Sequence, residues 1–196
     1  MPGTRTSCAS ASTAEPASDR SPVVMDEASA ADLCRAFDRA GVRCWVVGGW
    51  GVDALLGRCT RPHKDLDVLL AFTEHADAWR LLRERGYRLA YRWEENVDVP
   101  GASFDGGVQP TAYVVQDRSG LLVDVHVVDD RSPEPTPLWT TDRVLIEGAL
   151  EATGTIDGLT VRCMSARMQL VAHAEYELPR EHQADVVLLQ QLLDGG

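Results

Sequence analysis

The chain has 196 residues, 44% of them hydrophobic, which suffices for one domain with a real core, with or without a short appendage. Thirty acidic residues against nineteen basic ones give a formal net charge of −11. This charge repels a phosphate backbone, so a nucleic acid is a disfavoured partner. A nucleotide is still compatible with it, because divalent cations bridge carboxylates to phosphates.

The sequence also bears on location. No run approaches the roughly 20 apolar residues that a membrane span requires, and the N-terminus lacks an apolar signal core. The five cysteines contain no C-x-x-C pair, so we expect reduced thiols rather than a disulfide framework or a metal site. These features predict a cytoplasmic protein that has no membrane partner.

The first half of the chain alternates helical and extended patterns after an irregular start. Residues 1–24 are rich in Ser, Ala, Thr and Pro without apolar periodicity, which predicts a disordered tail. The patterns then predict, in chain order, a helix capped by Ser29 and ended by Gly41, a strand over 44–47, a glycine turn at Gly48-Gly49, a helix over 50–56, a strand over 66–72 and a helix over 74–85.

The second half is richer in strands. The patterns predict, in chain order, a strand over 87–93, a loop over 98–108, a hairpin of strands 111–116 and 121–128, a second hairpin around Asp157-Gly158, a helix from Ser165 to Glu177 and a last helix over 182–193. Together the elements predict an α/β (α+β) fold: a mixed sheet flanked by helices, with a mainly helical C-terminal part.

Two carboxylates stand at the start of the strand predicted over 66–72. Asp65 and Asp67 flank Leu66, and the two-residue period of a strand points both carboxylates to one face. Carboxylates at this spacing can hold Mg²⁺, a hard cation that shares oxygen ligands with phosphates. The D-x-D pair is common on protein surfaces, so by itself it indicates a metal site only weakly.

A third carboxylate lies on the strand predicted over 121–128. Asp124 and His126 occupy one face of this strand, and three valines occupy the other. If this strand lies beside the strand of Asp65 and Asp67, three carboxylates converge, and a bound cation offsets their repulsion. Asp124 would then complete the metal site or accept the proton of an attacking hydroxyl. The alternative is a solvent-facing carboxylate on an edge strand.

The run Gly48-Gly49-Trp50-Gly51 separates a strand from a helix. Glycines permit close backbone approach, and the N–H groups at a helix start attract phosphate, so this turn could cradle a triphosphate. It matches neither the Rossmann pattern nor the P-loop pattern. A glycine turn with no ligand is the alternative.

The ordered combination of these motifs is more specific than any one of them. In chain order it reads Gly48-Gly49-Trp50-Gly51-Val52-Asp53, Leu56-Gly57-Arg58, Thr60-Arg61 and His63-Lys64-Asp65-Leu66-Asp67. It resembles the lincosamide nucleotidyltransferases and the aminoglycoside 2″-adenylyltransferases, which belong to the polymerase-β-like nucleotidyltransferase superfamily. The resemblance continues through Asp124-Val125-His126 and covers about residues 28–190.

This resemblance implies a polymerase-β-like nucleotidyltransferase fold. Its catalytic domain would span 26–135, and the hairpin and helices of 136–196 would complete a cleft for the acceptor. A homodimer is compatible with the resemblance. The run from Glu94 to Tyr113 matches neither subgroup well, which leaves the acceptor open.

The resemblance also implies a reaction. A nucleoside monophosphate, AMP from ATP, would pass to a hydroxyl of a small-molecule antibiotic, an aminoglycoside or a lincosamide, with release of pyrophosphate. Asp65, Asp67 and Asp124 would bind Mg²⁺ and carry the catalysis, and Gly48, Gly49 and Trp50 would shape the triphosphate pocket.

Two residues just before the D-x-D pair have alternative roles within this resemblance. Arg61 and His63 lie near enough in sequence to contact phosphate, but Arg61 could equally pair with Asp53. The loop that starts with Trp93-Glu94-Glu95 could line the acceptor pocket or be a solvated charged loop.

Two other functions share this catalytic core. One is an antitoxin-like nucleotidyltransferase that modifies a partner protein instead of a small molecule. The other is a nucleotide-binding module without turnover, which missing acids would indicate. All three acids are present in the sequence.

Overall fold

The computed structural model describes residues 23–104, 107–140, 145–174 and 180–195. The tail predicted over 1–24 therefore lies outside the described residues, apart from its last two. In chain order the helices are α1 (Glu27–Arg39), α2 (Gly48–Leu56), α3 (His75–Glu84), α4 (Ala166–His173) and α5 (Arg180–Asp194), and a short 3-10 helix (Phe72–Glu74) precedes α3.

The strands are β1 (Cys44–Val46), β2 (Asp65–Ala71), β3 (Arg88–Arg92), β4 (Val99–Phe104), β5 (Gly107–Gln109), β6 (Ala112–Gln116), β7 (Leu122–Asp129), β8 (Thr136–Pro137), β9 (Ala152–Ile156) and β10 (Leu159–Cys163). One mixed sheet has the order β3-β6-β7-β2-β1-β10-β9, with β8 beside β7. The pairs β2–β7 and β1–β10 are parallel, and the other pairs are antiparallel. The predicted mixed α/β sheet is confirmed.

The two faces of the sheet bury different groups. Leu66, Val68 and Leu70 of β2 pack with the valines at 123, 125 and 127 of β7 and with residues of α1 and α3 in the larger core cluster. The opposite face of β2 carries Asp65, Asp67 and Leu69. On that face, Leu69 packs with Trp45, Trp139, Met164 and Met168 in a second cluster. The side-chain alternation predicted for β2 and β7 is thus what the structure shows.

Helix α1 begins before the predicted cap. Asp26, not Ser29, is the N-cap, and its carboxylate accepts a hydrogen bond of 2.7 Å from the Ser29 N–H. Both residue types cap helices, so the sequence alone does not decide which of the two begins the helix, and the predicted start is about one turn late. At the other end, Gly41 has the left-handed φ of +71° that is common after a helix.

The loop predicted over 98–108 is wrong, because β4 and β5 pair there as an antiparallel two-stranded sheet. Its glycines and aspartates are depleted in strands, and the register shifts between Val99 and Ser103, so no regular alternation marks it. The hairpins β6–β7 and β9–β10 are confirmed, and the second turns at Asp157-Gly158, where both residues have positive φ.

The C-terminal part adds both a hairpin and helices. Ser165 caps α4 as predicted, accepting a hydrogen bond of 3.4 Å from the Met168 N–H, and the helix runs to His173. The predicted extension to Glu177 lies outside the described residues. Since β10 pairs with β1, residues of 136–196 belong to the same sheet as those of 26–135, and the division of the chain at 135 stays a prediction. Within the described ranges, no helix is long and apolar enough to cross a membrane.

Helix α2 rests directly on β9 at a position that has no room for a side chain. A Cβ built at Gly154 would overlap the backbone carbonyl of Ala54. We expect Gly154→Ala to lower the free energy of unfolding by about 1–3 kcal/mol, because backbone atoms cannot rotate away as a side chain can. Urea unfolding followed by circular dichroism measures this. Gly158→Asn is the control, since it adds a side chain in open space at a left-handed φ that Asn tolerates; an equal loss in both variants would contradict the packing argument.

Candidate active site

The parallel register of β2 and β7 brings the predicted acids together. Asp67 is the direct partner of Asp124, and Asp65 lies two residues earlier on the same face. Asp124 is only 7% exposed, and the other two carboxylates are partly buried. Asp124 is therefore not a solvent-facing residue on an edge strand, because β7 lies between β6 and β2.

The proximity of the three carboxylates is electrostatically unfavourable. Burial raises the pKa of Asp67 well above its usual range, and the Asp65 and Asp124 carboxylates raise it further. Burial also raises the pKa of Asp65, although the Lys64 ammonium, 3.6 Å from the Asp65 carboxylate, opposes this. A divalent cation would offset both the burial and the mutual repulsion, so this donor set fits Mg²⁺.

Asp124 is contacted by two ring nitrogens. The Trp93 Nε1–H donates to both carboxylate oxygens, at 3.0 and 3.1 Å. The His126 Nδ1 lies 3.4 Å from one of them, and the His126 Nε2 lies 3.7 Å from the Glu95 carboxylate. The run at 93–95 thus contacts the third carboxylate through Trp93. No motif spacing in the sequence predicts this contact.

The glycine run forms the first turn of α2 rather than a separate turn. Val47 is the N-cap and supplies no side-chain hydrogen bond, so its side chain does not cap the N–H groups of the first turn. A Cβ at Gly48, which has a φ of +58°, would collide with the Asp67 carboxylate, and a Cβ at Gly49 would collide with the His63 ring. The absence of side chains thus lets the helix start approach the carboxylates, and Trp50, the third residue of the run, is buried.

The segment that leads into β2 is braced by Asp53 of α2. The Asp53 carboxylate accepts hydrogen bonds from the Thr60 N–H (3.0 Å) and hydroxyl (2.5 Å) and lies 2.6 Å from the His63 Nε2. Burial raises the pKa of Asp53, but these hydrogen bonds outweigh it and lower the pKa overall. The His63 ring also packs on Trp50, with ring centroids 4.5 Å apart. The ligand atoms of Asp53, Cys59 and His63 lie within 4.8 Å of one another, as they could in a metal site. Because Asp53 and His63 contact each other directly, we assign this group a structural role instead.

Arg61 does not pair with Asp53, so that alternative is wrong. Its guanidinium binds Asp185 of α5 instead, with Nη2–Oδ2 and Nε–Oδ1 distances of 2.7 and 3.2 Å. Asp53 is already occupied by Thr60 and His63, and Asp185 is 1% exposed, so its buried charge needs a cation. The ion pair ties the C-terminal helix to the segment before β2.

A cavity of about 740 Å³ opens over these residues. Part of its lining is polar or charged, with the residues Gly48, Gly49, Arg61, Lys64, Asp65 and Asp67. Another part is apolar, with the residues Leu69, Pro137, Trp139, Leu145, Met164 and Met168. Most of the apolar part comes from 137–168 and was not predicted from the sequence, because apolar side chains follow no catalytic motif. The cavity has room for more than a metal ion and a triphosphate.

The aminoglycoside-2″-adenylyltransferase family model matches residues 30–189. The chain belongs to this family. Members are nucleotidyltransferases, and so is this protein, which confirms the resemblance seen in the sequence. A lincosamide resistance protein of Staphylococcus haemolyticus is 23% identical over 159 residues, which are 80% of this chain and 89% of that protein. A 2″-aminoglycoside nucleotidyltransferase of Escherichia coli is 44% identical, over only 36 residues, 18% of this chain and 20% of the relative.

Solved structures share the adenylyltransferase fold. A lincosamide antibiotic adenylyltransferase with lincomycin bound superposes with a TM-score of 0.61 at 20% identity, covering 81% of this chain and 92% of that one. ANT(2″)-Ia in complex with adenylyl-2″-tobramycin gives a TM-score of 0.60 at 20% identity, covering 82% and 85%. The predicted nucleotidyltransferase fold is confirmed by this likeness.

The raised pKa of Asp67 predicts a pH dependence of stability. Between the usual pKa of an Asp and the raised pKa of Asp67, the folded chain keeps a proton on Asp67 that the unfolded chain releases. The free energy of unfolding therefore falls as the pH rises through this range. Without divalent metal, Asp67→Asn should therefore raise the urea midpoint near neutral pH, and the gain should shrink near pH 4. Added Mg²⁺ should raise the midpoint of the unsubstituted protein and leave that of the variant nearly unchanged.

Asp129→Asn is the control for Asp67→Asn, because it makes the same change at an acid of β7 that lies outside the site. The Arg131 guanidinium lowers the pKa of Asp129, so this variant should lose a little stability at neutral pH and keep the response to Mg²⁺. An Asp67→Asn protein less stable than the unsubstituted one in EDTA would contradict the repulsion described above.

Proposed function

We propose that this nucleotidyltransferase transfers a nucleoside monophosphate, AMP from ATP, to a hydroxyl of an antibiotic in a Mg²⁺-dependent reaction that releases pyrophosphate. The observation that carries the proposal is the pairing of Asp67 with Asp124, with Asp65 on the same face. Family membership supports the transfer chemistry, and the names of the relatives support a lincosamide or an aminoglycoside as the acceptor.

The polar part of the cavity suits the triphosphate. The N-terminus of α2 carries partial positive charge, and Gly48 and Gly49 leave space for phosphate oxygens beside it. Lys64 adds positive charge to the same lining, and so does Arg61, although its ion pair with Asp185 offsets part of that charge. Asp65, Asp67 and Asp124 would hold Mg²⁺, which when bound supplies positive charge to neutralise the triphosphate and the departing pyrophosphate.

In the transfer itself, a new bond forms between the acceptor oxygen and the α-phosphorus. The bond from the α-phosphorus to the bridging oxygen breaks, and pyrophosphate leaves with that electron pair. The acceptor hydroxyl releases its proton to the carboxylate of Asp124, the residue that pairs with Asp67 across β2 and β7. The other residues contribute by position and charge, which hold the reacting atoms in line.

The apolar part of the lining favours a lincosamide over a polycationic aminoglycoside. Among the described lining residues, only Asp65 and Asp67 are acidic, and both are assigned to the metal. An acceptor with several ammonium groups would therefore find no further carboxylate among the described lining residues. An acceptor with an apolar body would instead contact Trp139, Met164 and Met168.

The test is pyrophosphate release from each of the four ribonucleoside triphosphates with Mg²⁺, across a panel of lincosamides and aminoglycosides, with mass spectrometry of the products. We expect release with ATP and a product heavier by one AMP unit. Nucleotide binding without release for any compound would point to another acceptor, such as the protein partner of an antitoxin-like enzyme. No nucleotide binding at all would overturn the enzymatic proposal.

Substitution of the acids tests the metal assignment. Asp65→Asn and Asp67→Asn should each lower kcat by about a hundredfold or more, because a charged metal ligand is lost while the side-chain volume is kept. Steady-state kinetics at saturating Mg²⁺ measures this. Asp129→Asn keeps the carboxylates of the site intact and should retain kcat within about twofold. Unchanged metal-dependent turnover in both site variants would remove these residues from the mechanism.

A further inference from the structure

We propose that Trp93 is a positioning residue of the reaction, whose indole N–H holds the Asp124 carboxylate in its working orientation. This inference rests on the proposed function, because it takes Asp124 as the group that receives the hydroxyl proton or completes the metal site. No motif in the sequence marks Trp93 for such a role.

The geometry of the contact restricts rotation of the carboxylate. The Nε1–H lies almost equally far from both oxygens of Asp124, at 3.0 and 3.1 Å. A single donor shared between two oxygens resists turning of the group, since rotation lengthens at least one of the contacts. It also leaves lone pairs on both oxygens for a cation or a proton. His126 approaches only one oxygen, at 3.4 Å, and cannot act in the same way.

The indole is itself held by the sheet. The backbone N–H of Trp93 donates to the Ala112 carbonyl of β6 at 3.1 Å, and the backbone carbonyl of Trp93 accepts from the Asn96 N–H at 3.1 Å. The Tyr91 ring packs edge-on against the indole, with centroids 5.1 Å apart. Because β6 pairs with β7, the donor and its acceptor are carried by connected strands.

The need for such a donor follows from the charges around Asp124. Asp65 and Asp67 on the adjacent strand repel it, so the carboxylate would turn away from them if nothing opposed the rotation. Trp93 is 36% exposed and follows β3, the end strand of the sheet, so its burial contributes much less to stability than that of a core tryptophan. The main effect of replacing the indole is therefore the loss of its hydrogen bond to Asp124.

The first experiment compares Trp93→Phe with Trp79→Phe, using ATP, Mg²⁺ and an acceptor found in the panel. Trp93→Phe keeps an aromatic ring but removes the N–H. We expect its kcat to fall by about ten- to a hundredfold, as for a lost hydrogen bond to a charged group, with KM values for ATP and acceptor within about threefold. Trp79 packs against Tyr113 in the core and away from the acids, so its variant should keep kcat within about twofold.

A second variant separates the N–H from the ring. Site-specific incorporation of 3-benzothienylalanine at position 93 replaces the N–H by sulfur at nearly constant shape, and its kcat should fall as far as that of Trp93→Phe. If both substitutions at position 93 leave kcat unchanged while the unsubstituted protein turns over, the inference is overturned and the proposed function stands.

A spectroscopic arm does not depend on turnover. In ¹⁵N-labelled protein, the indole N–H resonance that disappears in Trp93→Phe belongs to Trp93. Asp124→Asn should shift this resonance more than that of Trp79, because the acceptor loses its charge. An unmoved Trp93 resonance would overturn the inference even if no acceptor is found, and absence of turnover in the unsubstituted protein would count against the proposed function alone.

Discussion

The parallel pairing of β2 with β7 is the constraint on which the site depends. Side chains alternate along a strand, so a slip of one residue would send the carboxylates of one strand to the opposite face of the sheet. The register is set by burial, since Leu66, Val68 and Leu70 of β2 and the valines of β7 share one core cluster. The apolar face therefore determines where the acids on the other face meet.

This arrangement works against electrostatics. Three carboxylates on adjacent strands repel one another, and burial adds to the cost of their charges. The surrounding protein opposes this with Lys64, with the start of α2 and with the Trp93 N–H, none of which neutralises all three. The free energy gained by packing the core thus keeps together groups that would separate on their own, which is common at sites that bind a cation.

The sequence predicts the parts of the site that depend on local period. Alternation places Asp65 and Asp67 together, and the apolar pattern of β7 identifies the face of Asp124. Local period does not predict hydrogen-bond partners that come together only through tertiary alignment. Arg61 and Asp185 lie 124 positions apart, and the contact of Trp93 with Asp124 arises from the pairing of β6 with both β3 and β7. The pairing of β4 with β5 was missed because the composition of these strands resembles that of a loop.

The placement of β10 has a consequence for biosynthesis. Val46 pairs with Cys163, and the hairpin that contains Cys163 also supports α2 through the close contact of Gly154 with Ala54. A nascent chain that has not yet reached this hairpin presents β1 as an open edge, which can pair with other chains. Such distant pairing also slows folding, because a long loop must close before the contact forms. Helix α2, although encoded early, would thus reach its final position only after the hairpin of β9 and β10 has been translated.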